Sequence, residues 1–113
     1  MLKQALPELP LADVVAGVQY FREHLGFSIN YQNDTIGVMD RDKVRVLLVA
    51  RTPAHQGIGS CYIYVADAHA LHAELVKKGA KVMGEPVSLP HGLREFKVSD
   101  SEGNQITFGQ PMW

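Results

Sequence analysis

The chain has 113 residues, 46% of them hydrophobic, with 11 Lys plus Arg against 12 Asp plus Glu and a single cysteine. That length supports one core without disulfides or a structural metal, and Cys61 alone cannot form an intramolecular bridge. A net charge of -1, with cations dispersed among acids, excludes the basic face of a nucleic-acid binder, and no apolar run reaches membrane-spanning length.

An apolar stretch from Ala5 to Leu11 reads as the opening strand and leads to Asp13, whose side chain suits the start of a helix. Val14, Val18, Phe21 and Leu25 then recur on one helical face, and Gly26 follows where the chain must turn left-handed. Ile36 to Met39 and Val44 to Ala50 flank the polar turn Asp40-Arg41-Asp42-Lys43 and read as a hairpin. The segment from Arg51 to Gly59, with Pro53, Gly57 and Gly59, reads as a linker.

The same order then repeats. Tyr62 to Val65 leads to Asp67; Ala68, Leu71 and Leu75 share a helical face; Gly79 follows; and Arg94 to Ser99 and Asn104 to Gly109 flank Asp100-Ser101-Glu102-Gly103. The expectation is one domain over residues 1–113 with an α+β fold. Its two tandem βαβββ modules, about 1–53 and about 57–113, form a curved sheet with a ligand cleft. A strand-dominated unit of about fifty residues cannot cover its own sheet face, so the two sheets must pack together around that cleft.

Few side chains offer chemistry. Cys61 lacks a base or cation among its neighbours Tyr62, Ile63 and Tyr64, so it reads as a buried structural cysteine. His69 and His72 lie three apart on the second helix, but its apolar face leaves them at the surface, and neither His24 nor His55 suggests catalysis. Ser60, Tyr62 and Tyr64 alternate onto one strand face, where the two rings supply a flat amphipathic wall. Trp113, the only tryptophan, either frays or covers a cleft mouth or a dimer partner. An unpaired thiol, and no charged-then-apolar leader after Met1, point to a cytoplasmic setting.

Two motifs carry a family resemblance. The run Tyr20-Phe21-Arg22-Glu23-His24-Leu25-Gly26-Phe27 resembles the aromatic pair, polar stretch and Leu-Gly-Phe of the vicinal oxygen chelate superfamily, and Asp100-Ser101-Glu102-Gly103-Asn104 resembles its Asp-Pro-Asp-Gly-Asn. Within that superfamily the stretches Leu6 to Asp13 and Pro90-His91-Gly92-Leu93-Arg94-Glu95-Phe96 resemble the bleomycin resistance group. His91 departs from the aromatic residue usual there.

This resemblance implies a homodimer with two equivalent clefts, a cationic glycopeptide antibiotic as ligand and no catalysis; the charge balance and the lack of a long apolar run already argue against nucleic-acid and membrane partners. The metal-ligand positions of the superfamily's enzymes fall on Leu6, on Ser60 or with a one-residue slip Cys61, and on Thr107, which cannot supply the imidazole and carboxylate donors a divalent ion needs, so no cofactor and no metal is expected. Glu8, two residues beyond Leu6 and on the same strand face, is read as a partner for a ligand's ammonium or guanidinium. The candidate ligand-binding residues are therefore Glu8, Tyr62, Tyr64, His91 and Arg94. Two other readings stand beside this one: a glyoxalase- or dioxygenase-type enzyme with relocated ligands, and an orphan member that binds another metabolite.

Overall fold

Asp13 and Asp67 each adopt an extended backbone and accept a hydrogen bond from the amide three residues on, Ala16 N and Ala70 N at 3.0 Å, so both helices begin where the sequence predicts. In the computed structural model, which describes residues 1–113, these helices are α1 (Val14–His24) and α2 (Ala68–Lys77). Gly26 and Gly79, at φ of 74° and 76°, then turn the chain through the left-handed region that a side chain would resist.

Around α1 lie β1 (Glu8–Leu11), β2 (Ser28–Gln32), β3 (Ile36–Arg41) and β4 (Val44–Ala50); around α2 lie β5 (Ser60–Tyr64), β6 (Lys81–Ser88), β7 (Leu93–Ser99) and β8 (Gln105–Pro111). Each set forms its own four-stranded sheet, in the orders β1-β4-β3-β2 and β5-β8-β7-β6. In both, the module's first strand runs parallel to its last and the other pairings are antiparallel. The fold is thus α+β with two tandem βαβββ modules, and its strands divide between two sheets.

Alternation along the strands gives each sheet one apolar face, which its helix covers. Leu9, Met39, Val46 and Leu48 meet Val18 and Phe21 in the first module, Phe96, Val98, Ile106 and Phe108 meet Ala68 and Leu75 in the second, and all belong to one continuous core. The opposite faces have no helix. Register there aligns Glu8, Leu47, Val38 and Tyr31 across the first sheet, and Tyr62, Thr107, Lys97 and Met83 across the second.

The modules are joined at two corners. At one, both oxygens of Glu102 accept backbone N–H groups from Ala12 and Asp13 at 2.8 Å. Asn104, fully buried beside it, accepts from Gly59 N at 2.6 Å and donates to Pro10 O and Asp100 Oδ2 at 2.8 Å. At the other, Arg41 and Glu74 form a two-pronged ion pair at 2.8 Å, and Arg41 also donates to Leu25 O at 2.9 Å. Between the corners the Tyr20 hydroxyl donates to Ser99 O and accepts from Lys81 N, both at 2.8 Å.

Candidate functional site

β5 crosses the middle of the chain with its even-numbered side chains on the uncovered sheet face. Ser60, Tyr62 and Tyr64 are all exposed there, Tyr62 by 44% and Tyr64 by 64%, and the two rings pack edge to face with centroids 5.7 Å apart. Exposed aromatic area of this kind is costly in water and suits the flat face of a ligand ring.

The Tyr62 hydroxyl donates to Glu95 Oε1 at 3.0 Å. Lys97 Nζ lies 3.6 Å from Glu95 Oε2 and donates to Thr107 Oγ1 at 3.4 Å. Desolvation and the Glu95 carboxylate, which accepts from the neutral phenol and repels the phenolate, push the Tyr62 hydroxyl up to about 12. Tyr62 is therefore a fixed hydrogen-bond donor at neutral pH, not a base. A cleft of about 270 Å³ runs beside this wall, bounded by Leu6, Pro7, Arg45, Tyr62 and Tyr64.

Of the five residues singled out in the sequence, only Tyr62 and Tyr64 come together. Glu8 is exposed on the uncovered face of the first sheet, in the row of Leu47 and Val38, and does not line the cleft. Arg94 lies on the same face of β7 as Phe96, opposite to Glu95, and its Nε donates to Ser88 Oγ at 3.2 Å. His91 is exposed in the β6–β7 turn, where the Trp113 ring lies against Gly92 while remaining 78% exposed.

Sequence reasoning missed Glu95 as the Tyr62 partner. The signal was present only in the strand order, since β5 and β7 are brought within reach by β8 lying between them.

The remaining candidates have structural partners. His24 Nδ1 lies 2.6 Å from Lys78 O, and His55 Nδ1 accepts from Thr52 N at 2.9 Å. His72 Nε2 lies 3.0 Å from Gly84 O with its ring edge-on to Phe96, and His69 is exposed. Cys61 is half-buried against the core, and burial pushes its thiol up to about 11, so it holds no thiolate at neutral pH.

A larger cleft, about 500 Å³, opens between the modules beside the Arg41–Glu74 pair. Leu25, Phe27, Ile63, Leu71 and Phe108 line its apolar part, and Lys43, Val44, Ile63 and Tyr64 are shared with the smaller cleft.

The sequence profile of the glyoxalase/bleomycin resistance protein/dioxygenase superfamily matches residues 4–108. The chain belongs to that superfamily. No curated protein matches it in sequence.

Among solved structures, a bleomycin-binding protein from bleomycin-producing Streptomyces verticillus, complexed with copper(II)-bleomycin, is 27% identical at a TM-score of 0.80, over 96% of this chain and 97% of that one. A bleomycin resistance determinant encoded on the transposon Tn5 has 18% identity and a TM-score of 0.85, over 99% and 100% of the two chains. A lactoylglutathione lyase from Agrobacterium tumefaciens has 17% identity and a TM-score of 0.76, over 97% and 96%. The last two likenesses concern the fold.

Superfamily enzymes hold a divalent ion, and the residues here do not fit one. Leu6 is a hydrocarbon, Ser60 is an exposed hydroxyl, and the buried Thr107 hydroxyl already accepts from Lys97. No three His, Cys, Asp or Glu side chains converge anywhere in the chain.

Proposed function

We propose that this superfamily member is a metal-independent, non-catalytic small-molecule binder whose ligand is a cationic molecule with a planar group, a bleomycin-class glycopeptide being the sharpest case. The observation that carries the reading is the solvent-facing pair Tyr62 and Tyr64, with the Glu95 carboxylate bonded to the first. Two aromatic surfaces can stack a planar heterocycle, and its cationic tail can compete with Lys97 for the Glu95 carboxylate.

A cleft of about 270 Å³ in one chain is small for a glycopeptide, which supports a homodimer. With the first sheet of one protomer opposite the second sheet of its partner, Glu8 and Tyr31 from one chain would complete the wall built by Tyr62, Tyr64 and Glu95 of the other. This accounts for Glu8 standing away from the tyrosines within a single chain. The similarity to the Streptomyces verticillus protein, at 27% identity across nearly the full length, supports the same choice of ligand.

The test is a calorimetric titration of metal-stripped protein with a metal-free bleomycin-class glycopeptide, repeated with Glu95→Gln and Glu8→Gln. Submicromolar binding at one drug per chain, weakened by about tenfold in Glu95→Gln, is expected. Absence of heat from folded protein rejects the drug, and equal binding in Glu95→Gln rejects the role given to that carboxylate.

A further inference from the structure

The two corners between the modules are made from equivalent parts, and only one is closed. At the closed corner Glu102 lays its carboxylate on the N–H groups of Ala12 and Asp13, just ahead of α1. The internal repeat puts Ala66 and Asp67 in the same place ahead of α2, and neither backbone N–H has a partner within the chain.

The cause lies in the two hairpins. Five residues separate the paired Ser99 and Gln105, whereas four separate the paired Asp40 and Arg45. The shorter hairpin continues its ladder through Arg41 and Val44 and turns tightly at Asp42, with φ of 52°. Its Asp42 carboxylate stays out in solvent, 4.0 Å from Arg41 Nε. Where Asn104 plugs the closed corner, the open one retains the cleft of about 500 Å³.

We propose that this cleft, which meets the tyrosine wall at Tyr64, is a second binding site for an amphipathic monocarboxylate. The apolar body lies over Leu25, Phe27, Ile63, Leu71 and Phe108, which are largely cut off from solvent except through the cleft. The carboxylate receives the N–H groups of Ala66 and Asp67, as Glu102 receives those of Ala12 and Asp13.

Charge around the cleft permits this. Arg41 and Glu74 neutralise each other, and on the rim Lys43, with no carboxylate within ion-pair distance, offsets the solvent-exposed Asp42 that also lines the cleft. Asp67 is no obstacle, because Asp13 holds the same capping position directly beside the Glu102 carboxylate. Free N–H donors beside desolvating apolar surface bind a carboxylate better than water does.

The test is a titration of ¹⁵N-labelled full-length protein with decanoate below its micellar concentration, with decanol and decyltrimethylammonium as controls. Saturable downfield shifts of the Ala66 and Asp67 amide protons are expected with decanoate and not with either control. Ala70→Trp, at an exposed helix position that lines the cleft, should weaken the response at least about tenfold, and the surface variant Lys43→Gln about threefold. Unmoved amides, equal shifts with decanol, or full binding in folded Ala70→Trp would overturn the proposal. So would shifts of the same two amides with protein concentration alone, which would make a second copy of the chain the occupant.

Discussion

At the corner formed by the second hairpin, Glu102 and Asn104 bond to the first module while Asp100 braces Asn104 from within the hairpin; at the corner formed by the first hairpin, one ion pair spans the gap and an apolar cleft remains. A duplicated unit therefore gave two different joints, and a one-residue difference in hairpin length separates them. The closed corner ties the modules by hydrogen bonds, and the open corner leaves an apolar cleft between them.

The comparison breaks most visibly at Asn104. Asn104→Ala removes the partner of Gly59 N and Asp100 Oδ2 and leaves Pro10 O only the longer contact from Arg51 at 3.4 Å, so a loss of about 3 kcal/mol in urea unfolding is expected. Glu102→Ala frees two N–H groups that water can reach, and about 1 to 1.5 kcal/mol should be lost in the same assay.

The open corner should cost less to disturb. Glu74→Gln removes a partly exposed ion pair, and about 1 kcal/mol or less is expected at neutral pH. The Arg41 guanidinium holds the Glu74 carboxyl below its ordinary value. Its contribution is therefore fully present above the ordinary carboxylate range and is lost as pH falls through the lowered folded-state value. Urea midpoints of wild type and Glu74→Gln should differ at about pH 7 and converge as pH falls below the ordinary carboxylate range. A larger loss at this corner than at Asn104 would contradict the division of labour. The smallest stability effect belongs to Tyr64→Ala, which should move unfolding by less than about 0.5 kcal/mol yet weaken glycopeptide binding measured by calorimetry.

Much of this architecture is legible in the sequence because it depends on local signals. Asp13 and Asp67 cap the helices they precede, Gly26 and Gly79 end them, and the spacing of Val14, Val18 and Phe21 selects the buried face. Alternation also placed Tyr62 and Tyr64 together.

What escaped depends on distant register. Glu95 reaches Tyr62 only because β8 lies between their strands, and Glu102 meets Ala12 across 90 positions. The turns Asp40-Arg41-Asp42-Lys43 and Asp100-Ser101-Glu102-Gly103 look alike as strings of polar residues. Their difference appears only when the flanking strands are paired, since a hairpin's length is set by which residues face one another. Arg94 and Glu95, adjacent in one motif, point to opposite faces for the same reason that strands alternate.

The central claim, that the uncovered face of the second sheet takes the ligand, is tested most directly by mapping amide shifts of ¹⁵N-labelled protein during titration with a metal-free bleomycin-class glycopeptide. The account predicts saturable shifts centred on Tyr62, Tyr64, Glu95, Lys97 and Thr107, with Glu8 and Tyr31 joining them if the partner's first sheet closes the cleft, and little change at Ala66 and Asp67. Shifts confined to the cleft beside Arg41 and Glu74, or none at all in folded protein, would contradict it.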